Sequence, residues 1–381
     1  MHKSRQSADR ARSPGGPTDP GTPATPASRA CAGILFSILM TASSLSNAAE
    51  LNLAWQKLPP LPDPVGVAGA FAGTSGKALI VAGGANFPDK LPWEGGTKIW
   101  HDEIYVLENP EGSWKAGVKL PFPSGYGVSV TAPEGVVCVG GSDAQRHLTN
   151  VFLLRWNGER VEVKDLPPLP LAVANSCGAM LGRSIYVAGG TDSPEATNAL
   201  RKFLHFDMSK PGNGWQELPP WPGPSRMLSM AAAVEGSFFV VGGTDLNPGP
   251  DGRPVRTYLK DGYRYTPGQG WRRIADMPNA VVAAPSPVPS LDASSFLVIG
   301  GDDGSLVGFE PRSKHPGFPH RMHRYDARSD RWTVAGQAPV SRATLPTASW
   351  RGLHIMPSGE ARPGVRSPEV WAFKINGVAR Q

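Results

Sequence analysis

Along most of its length the chain alternates short apolar runs with polar or Pro-rich turns, a pattern that predicts many short strands. Five runs end in a glycine doublet: ALIVAGG (Gly83, Gly84), VVCVGG (Gly140, Gly141), SIYVAGG (Gly189, Gly190), FFVVGG (Gly242, Gly243) and FLVIGG (Gly300, Gly301). After each comes a loop and an aromatic-bearing strand: EIYVLE, NVFLLR, FLHFD, YRYT and HRYD in turn. A further strand follows, led by tryptophan in four cases (Trp114, Trp215, Trp271, Trp332), and it ends in a Pro-rich turn. The sixth unit supplies LHIMPSGE and EVWAFKI; its missing tryptophan strand stands at the other end, as LAWQKLPPLP with Trp55. Six units of roughly 50 residues and four strands each predict an all-β, six-bladed propeller, with the N-terminal strand completing the last blade and locking the ring.

The residue types have physical reasons. Glycine at a strand end allows a positive φ and a sharp turn that a β-carbon would obstruct. VAGAFAG, YGVSV, NSCGAM and SMAAAV are rich in Gly, Ala and Ser, as crowding near a propeller axis requires, and the larger aromatics belong further out, between blades. The doublet with its spaced Tyr and Trp resembles the kelch family, over residues 51–376.

Composition refines this reading at the N-terminus. Residues 1–29 are polar and Pro-rich, ACAGILFSILMTASSL (residues 30–45) is apolar but too short to span a bilayer, and Ser46 and Ala48 suit a cleavage site. Residues 1–49 are therefore expected to be a secretory signal with a long leader. Residues 50–381 are then the propeller, exported as a soluble periplasmic or secreted protein. Removing the leader takes away five Lys/Arg and two Asp/Glu, so the formal charge falls from +6 to +3 and gives little support to nucleic-acid binding. No membrane partner is expected after cleavage, and the oligomeric state is left open. Cys138 and Cys177 both sit in apolar runs, which favours buried thiols over a bridge.

Charge gathers in the sixth unit, where MPSGEARPGVRS replaces the bare glycine doublet with a glutamate and arginines. With strands running antiparallel outward from the axis, Glu360 emerges on the face that also receives three long loops, beginning at residues 85, 244 and 302. Arg226 (GPSRMLS) and Arg342 (PVSRATL) reach the same face by topology. They are candidate ligands for an anion, with surface solvation as the alternative.

GEARPGVR, GVAGAFAGTSGKALIVAGGANF (residues 66–87) and YGVSV (residues 126–130) together resemble the N-acetylneuraminate epimerases, or sialic acid mutarotases. In better-known members the glutamate-bearing blade lies mid-chain, so this chain is similar to a circularly permuted branch. The resemblance implies an isomerase that interconverts the anomers of an acidic sugar, with Glu360 and Arg366 as the catalytic pair and no metal or organic cofactor. It also makes Asn86 and Tyr126 candidate substrate contacts, with turn formation or packing as the alternative. An arginine beside Glu360 is expected to lower its carboxyl pKa, and the alternative role for the pair is an ion pair that ties down the loop. His315, His320 and His323 share one loop but lack a zinc spacing. Two other readings stay open, a mutarotase of another acidic sugar and a kelch module that only binds a glycan or protein. A radical-copper oxidase is discounted, because both mature cysteines fall in expected core strands.

Overall fold

The computed structural model of the protein describes residues 51–376; the expected leader and cleavage site lie outside the described residues. Six blades surround an axis, as the repeat predicts. The first runs outward from Phe71–Ser75 through Ala78–Ala82 and Glu103–Leu107 to Lys115–Lys119. The second, third and fourth begin at Val128–Ala132, Cys177–Leu181 and Met230–Val234, each in a sheet of four strands. The sixth consists of Ala348–Trp350, Leu353–Pro357 and Val370–Ile375, and its outermost strand is the N-terminal Leu53–Leu58. That strand pairs antiparallel with Val370–Ile375, with Trp55 opposite Phe373 and the two rings 4.6 Å apart.

The fifth blade departs from expectation, with three strands (Ser295–Ile299, Arg321–Asp326, Arg331–Gln337) where four were expected. The segment before them contains Pro285, Pro287 and Pro289, which have no N–H for a ladder. A single bridge from Ser290 to Phe296 is what remains of the innermost pairing.

Each seam between blades is its own apolar cluster. Phe296 and Val298 pack toward the fourth blade, whereas Leu297 and Ile299 pack toward the sixth. Both faces of such a strand are buried, so the runs read as continuously apolar instead of alternating. Four tryptophans cross-link the seams through their indole N–H: Trp114 donates to Pro59, Trp215 to Pro167, Trp271 to Pro219 and Trp332 to Ala275, all backbone carbonyls of the preceding blade. Cys138 and Cys177 are buried free thiols in different seams.

All ten doublet glycines have φ between +59° and +105°. A Cβ on Gly83 would lie 2.2 Å from the carbonyl oxygen of Ser124, so the doublet also lets the strand end pass against the next blade. In the sixth blade Ser358 and Gly359 hold the same place, with φ +61° and +95°. Gly359 N–H donates to Val67 O at 2.9 Å, as Gly84 N–H does to Ser124 O at 2.8 Å. The charged residues therefore follow the doublet position and do not replace it.

Candidate functional site

One residue beyond each doublet, every blade presents a side chain near the axis. These residues are Ala85, Ser142, Thr191, Thr244, Asp302 and Glu360, bridged respectively to Ala68, Gly125, Ala174, Met227, Val282 and Ala343. The residue after each bridge partner is left-handed: Gly69, Tyr126, Asn175, Leu228, Ala283 and Thr344, with φ from +53° to +67°. Their backbones form a closed belt, in which Tyr126 N–H donates to Gly69 O, Asn175 to Tyr126, Leu228 to Asn175, Ala283 to Leu228, Thr344 to Ala283 and Gly69 to Thr344, at 2.7–2.9 Å.

The belt is the floor of a cavity of about 730 Å³, to which Tyr126, Asn175, Leu228 and Thr344 contribute side chains. Its walls are the long loops, three of them built as two-stranded ribbons: Ala85–Asn86 with Ile99–Trp100, Thr244–Pro248 with Pro254–Tyr258, and Glu360–Arg362 with Val365–Arg366. A concave site of this size with convergent polar groups fits a small-molecule ligand.

Glu360 and Arg366 are register partners of the last ribbon, and both line the cavity. Glu360 Oε1 lies 2.7 Å from Arg366 Nη1, with side-chain exposures of 19% and 3%. The contact is close but poorly aligned for a hydrogen bond, so Nη1 has no in-line acceptor among the described residues. Arg366 is held elsewhere: Nη2 donates to the Tyr126 hydroxyl at 3.2 Å, Nε to Ala85 O at 3.4 Å, and the guanidinium lies over the Phe87 ring at 4.9 Å. Burial pushes the Glu360 carboxyl above its ordinary 4.5, against the opposing pull of Arg366, Lys98 and Arg256; Asp302 adds to the rise. The neighbouring arginine was expected to lower this pKa, but loss of water around the carboxylate outweighs it.

Tyr126 lines the cavity. Asn86, Arg226 and Arg342, expected to contact a ligand, do not line it. Asn86 is buried and donates to Asp63 and Gly66 O while pairing with His101, so it braces a loop. Arg226 is 0% exposed, pairs with Asp261 at 3.0 Å, donates to Gly242 O and packs over Trp221 and Tyr263. Arg342 bonds Ser367 and Glu369. Both arginines stand two residues before a left-handed belt residue; Arg226 turns into the seam that holds Trp221 and Tyr263, and Arg342 turns to Ser367 and Glu369 of the sixth blade. Of the three histidines expected in one loop, His315 lines the cavity and His320 pairs with Ala338 O, whereas His323 is buried in the strand Arg321–Asp326.

Several cavity residues were not singled out from sequence. Lys98 stands over the Tyr126 ring at 4.2 Å and the Trp100 ring at 4.7 Å, and Arg256 lies on the wall. Asp302, on the blade next to Glu360, accepts a 2.6 Å hydrogen bond from the Tyr258 hydroxyl. His147, Asn175 and Thr191 line the cavity in the second and third blades. Aligning the GGD of the fifth unit with SGE of the sixth was the one signal that could have found Asp302.

The profile of the N-acetylneuraminate epimerase family matches residues 35–163. Over 143 residues the chain is 38% identical to the N-acetylneuraminate epimerase of Vibrio cholerae, covering 33% of this chain and 37% of that protein. The epimerase of Brucella suis is 39% identical over 127 residues (29% and 32% of the two chains), and that of Haemophilus influenzae 37% over 128 (30% and 34%). The chain thus spans about a third of the length of the curated relatives it matches. Lys98 and Tyr126 fall inside the segment that the profile matches, and Glu360 and Arg366 fall outside it.

Proposed function

We propose that this protein is a mutarotase of N-acetylneuraminate, interconverting its anomers by ring opening and reclosure. The observation that carries the reading is the Glu360–Arg366 pair: a carboxyl with a raised pKa beside a guanidinium, in a cavity walled by further cations. The family likeness of residues 35–163 supports it.

Opening a cyclic 2-keto sugar acid requires removal of the anomeric hydroxyl proton as the bond from the anomeric carbon to the ring oxygen breaks. The electron pair stays on the ring oxygen, which takes a proton, and the anomeric carbon becomes a ketone. Rotation about the neighbouring carbon–carbon bond presents the other face, and the same steps in reverse close the ring. Glu360 accepts the hydroxyl proton and delivers one to the ring oxygen, a task suited to a carboxyl whose pKa lies nearer the working pH than usual. Arg366 supplies the cation for the sugar carboxylate; its Nη1, buried against Glu360, has no in-line partner among the described residues. As the sugar carboxylate takes over the guanidinium, Glu360 loses part of its cationic neighbour and becomes more basic.

In this reading the chain is a circular permutant. A closed ring tolerates the relocation of its termini because each blade keeps its neighbours, so the glutamate-bearing blade can stand last. The reading also places the protein in the periplasm, through the apolar segment expected to act as an export signal.

Proton NMR of N-acetylneuraminate anomer exchange, at a mildly acidic pH that slows the background, tests the proposal. Wild type should accelerate exchange, and Glu360→Gln and Arg366→Ala should each lose that acceleration. Exchange no faster than in buffer would sink the substrate assignment. Acceleration that survives Glu360→Gln would remove the carboxylate from the chemistry.

A further inference from the structure

In a ring of six blades the third faces the sixth, so Thr191 and Glu360, which occupy equivalent turns, stand on opposite sides of the cavity. The cavity lining is charged on the Glu360 side, whereas on the Thr191 side the hydrogen-bonding side chains of His147, Asn175 and Thr191 are neutral. Thr191 Oγ1 lies 3.0 Å from His147 Nε2 and 3.3 Å from Asn175 Nδ2. The other imidazole nitrogen, Nδ1, is buried with no partner among the described residues, so the ring's single proton belongs on Nε2, where it has an acceptor. Burial favours this neutral imidazole, against the opposing pull of Asp192, Glu195 and Asp143. Thr191 Oγ1 then accepts from both neighbours, and its own hydroxyl hydrogen is free to donate into the cavity. Asn175 uses its amide nitrogen on Thr191, and its Oδ1 has no donor among the described residues. Beside them Met227, Leu246 and Ala199 form a small apolar cluster, and Met227 and Leu246 line the cavity.

One donor, one acceptor and an apolar wall complement a secondary amide with a short alkyl cap. We infer that Thr191, Asn175, Met227 and Leu246 form an acylamino-binding subsite, held in place by His147, that orients an acidic sugar from the end opposite its carboxylate. The amide oxygen accepts from the Thr191 hydroxyl, the amide N–H donates to Asn175 Oδ1, and the alkyl group rests on Met227 and Leu246. The inference rests on the proposed function only in taking the ligand to be an acidic sugar.

The test compares N-acetylneuraminate with the analogue that carries a hydroxyl in place of the acetamido group, by calorimetry and by saturation-transfer NMR. Wild type should prefer the acetamido sugar by about tenfold or more, with the strongest saturation at its methyl protons. Thr191→Val, of nearly the same shape, should erase most of that preference and change affinity for the analogue by no more than about threefold. Equal wild-type affinity for the two sugars, weak methyl saturation, or an equal loss for both sugars in Thr191→Val would each overturn the subsite. Exchange rates on the same samples separate the two proposals. Binding with the expected preference but no exchange leaves the subsite and removes the mutarotase. Exchange without the preference removes the subsite alone, and binding of neither sugar overturns both.

Discussion

Glu360 and Arg366 face each other across one short ribbon, Oε1 and Nη1 2.7 Å apart, yet burial leaves the carboxyl pKa above 4.5. The base form is the ionised one, so exchange should rise with pH through a midpoint above 4.5. Glu360→Gln should remove that limb and lower the catalysed rate by roughly 10²–10⁴-fold, read by NMR line shapes across a pH series. For stability the sign is the reverse. The fold favours protonated Glu360, so this contribution is present below 4.5 and lost as pH rises through the folded value.

Arg226 gives the contrasting outcome. Arg226→Ala leaves Asp261 without its cation in a buried seam and should destabilise the protein by about 3–5 kcal/mol in denaturant unfolding. Exchange per folded molecule should match wild type. A lower rate in fully folded protein would return this arginine to the site.

Ser358 is buried in a left-handed conformation that glycine holds in the other blades. Its hydroxyl accepts from Val67 N–H at 2.8 Å and lies 2.7 Å from Ser367 O, beside Arg366. Ser358→Ala should cost about 1–3 kcal/mol, because it loses these bonds and keeps the strained backbone. Ser358→Gly loses the same bonds but relieves the backbone, and should cost less. Equal unfolding midpoints for the two variants would show that the backbone conformation carries no penalty.

His323 is buried in the fifth blade, and desolvation, helped by Arg321, lowers its pKa from 6.5 to about 4. Between those values the unfolded chain binds a proton that the folded chain refuses, so stability falls as pH drops from 6.5 toward 4. The full effect of this one residue is on the order of 3 kcal/mol. His323→Gln should flatten that part of the pH–stability curve, and an unchanged slope would assign the loss to other groups.

The repeat was legible because each of its marks is local. Doublet glycines answer to a positive φ, and the tryptophan strands answer to a seam that recurs in every unit. The displaced Trp55 strand announced the ring closure for the same reason. The fifth blade's missing inner strand was written in its prolines but was hidden by the regularity around it. Of the residues expected from sequence to act on a ligand, Glu360, Arg366 and Tyr126 line the cavity. Arg226 and Arg366 are alike on paper, each an arginine in a loop on the same face. A few residues of register along the turn send one into a seam and the other to the cavity.

By itself the sequence determined a closed six-bladed ring with one blade carrying unusual charge, since strand, turn and seam preferences act between near neighbours and repeat six times. Only the tertiary structure decided that Lys98, Tyr126, Thr191, Arg256, Asp302 and Glu360 share one cavity. Their meeting depends on the closing of the ring and on a backbone belt whose left-handed residues include Tyr, Asn, Leu, Ala and Thr. Ring closure imposes that conformation against the preference of most of those side chains, so no residue type marks the belt in advance.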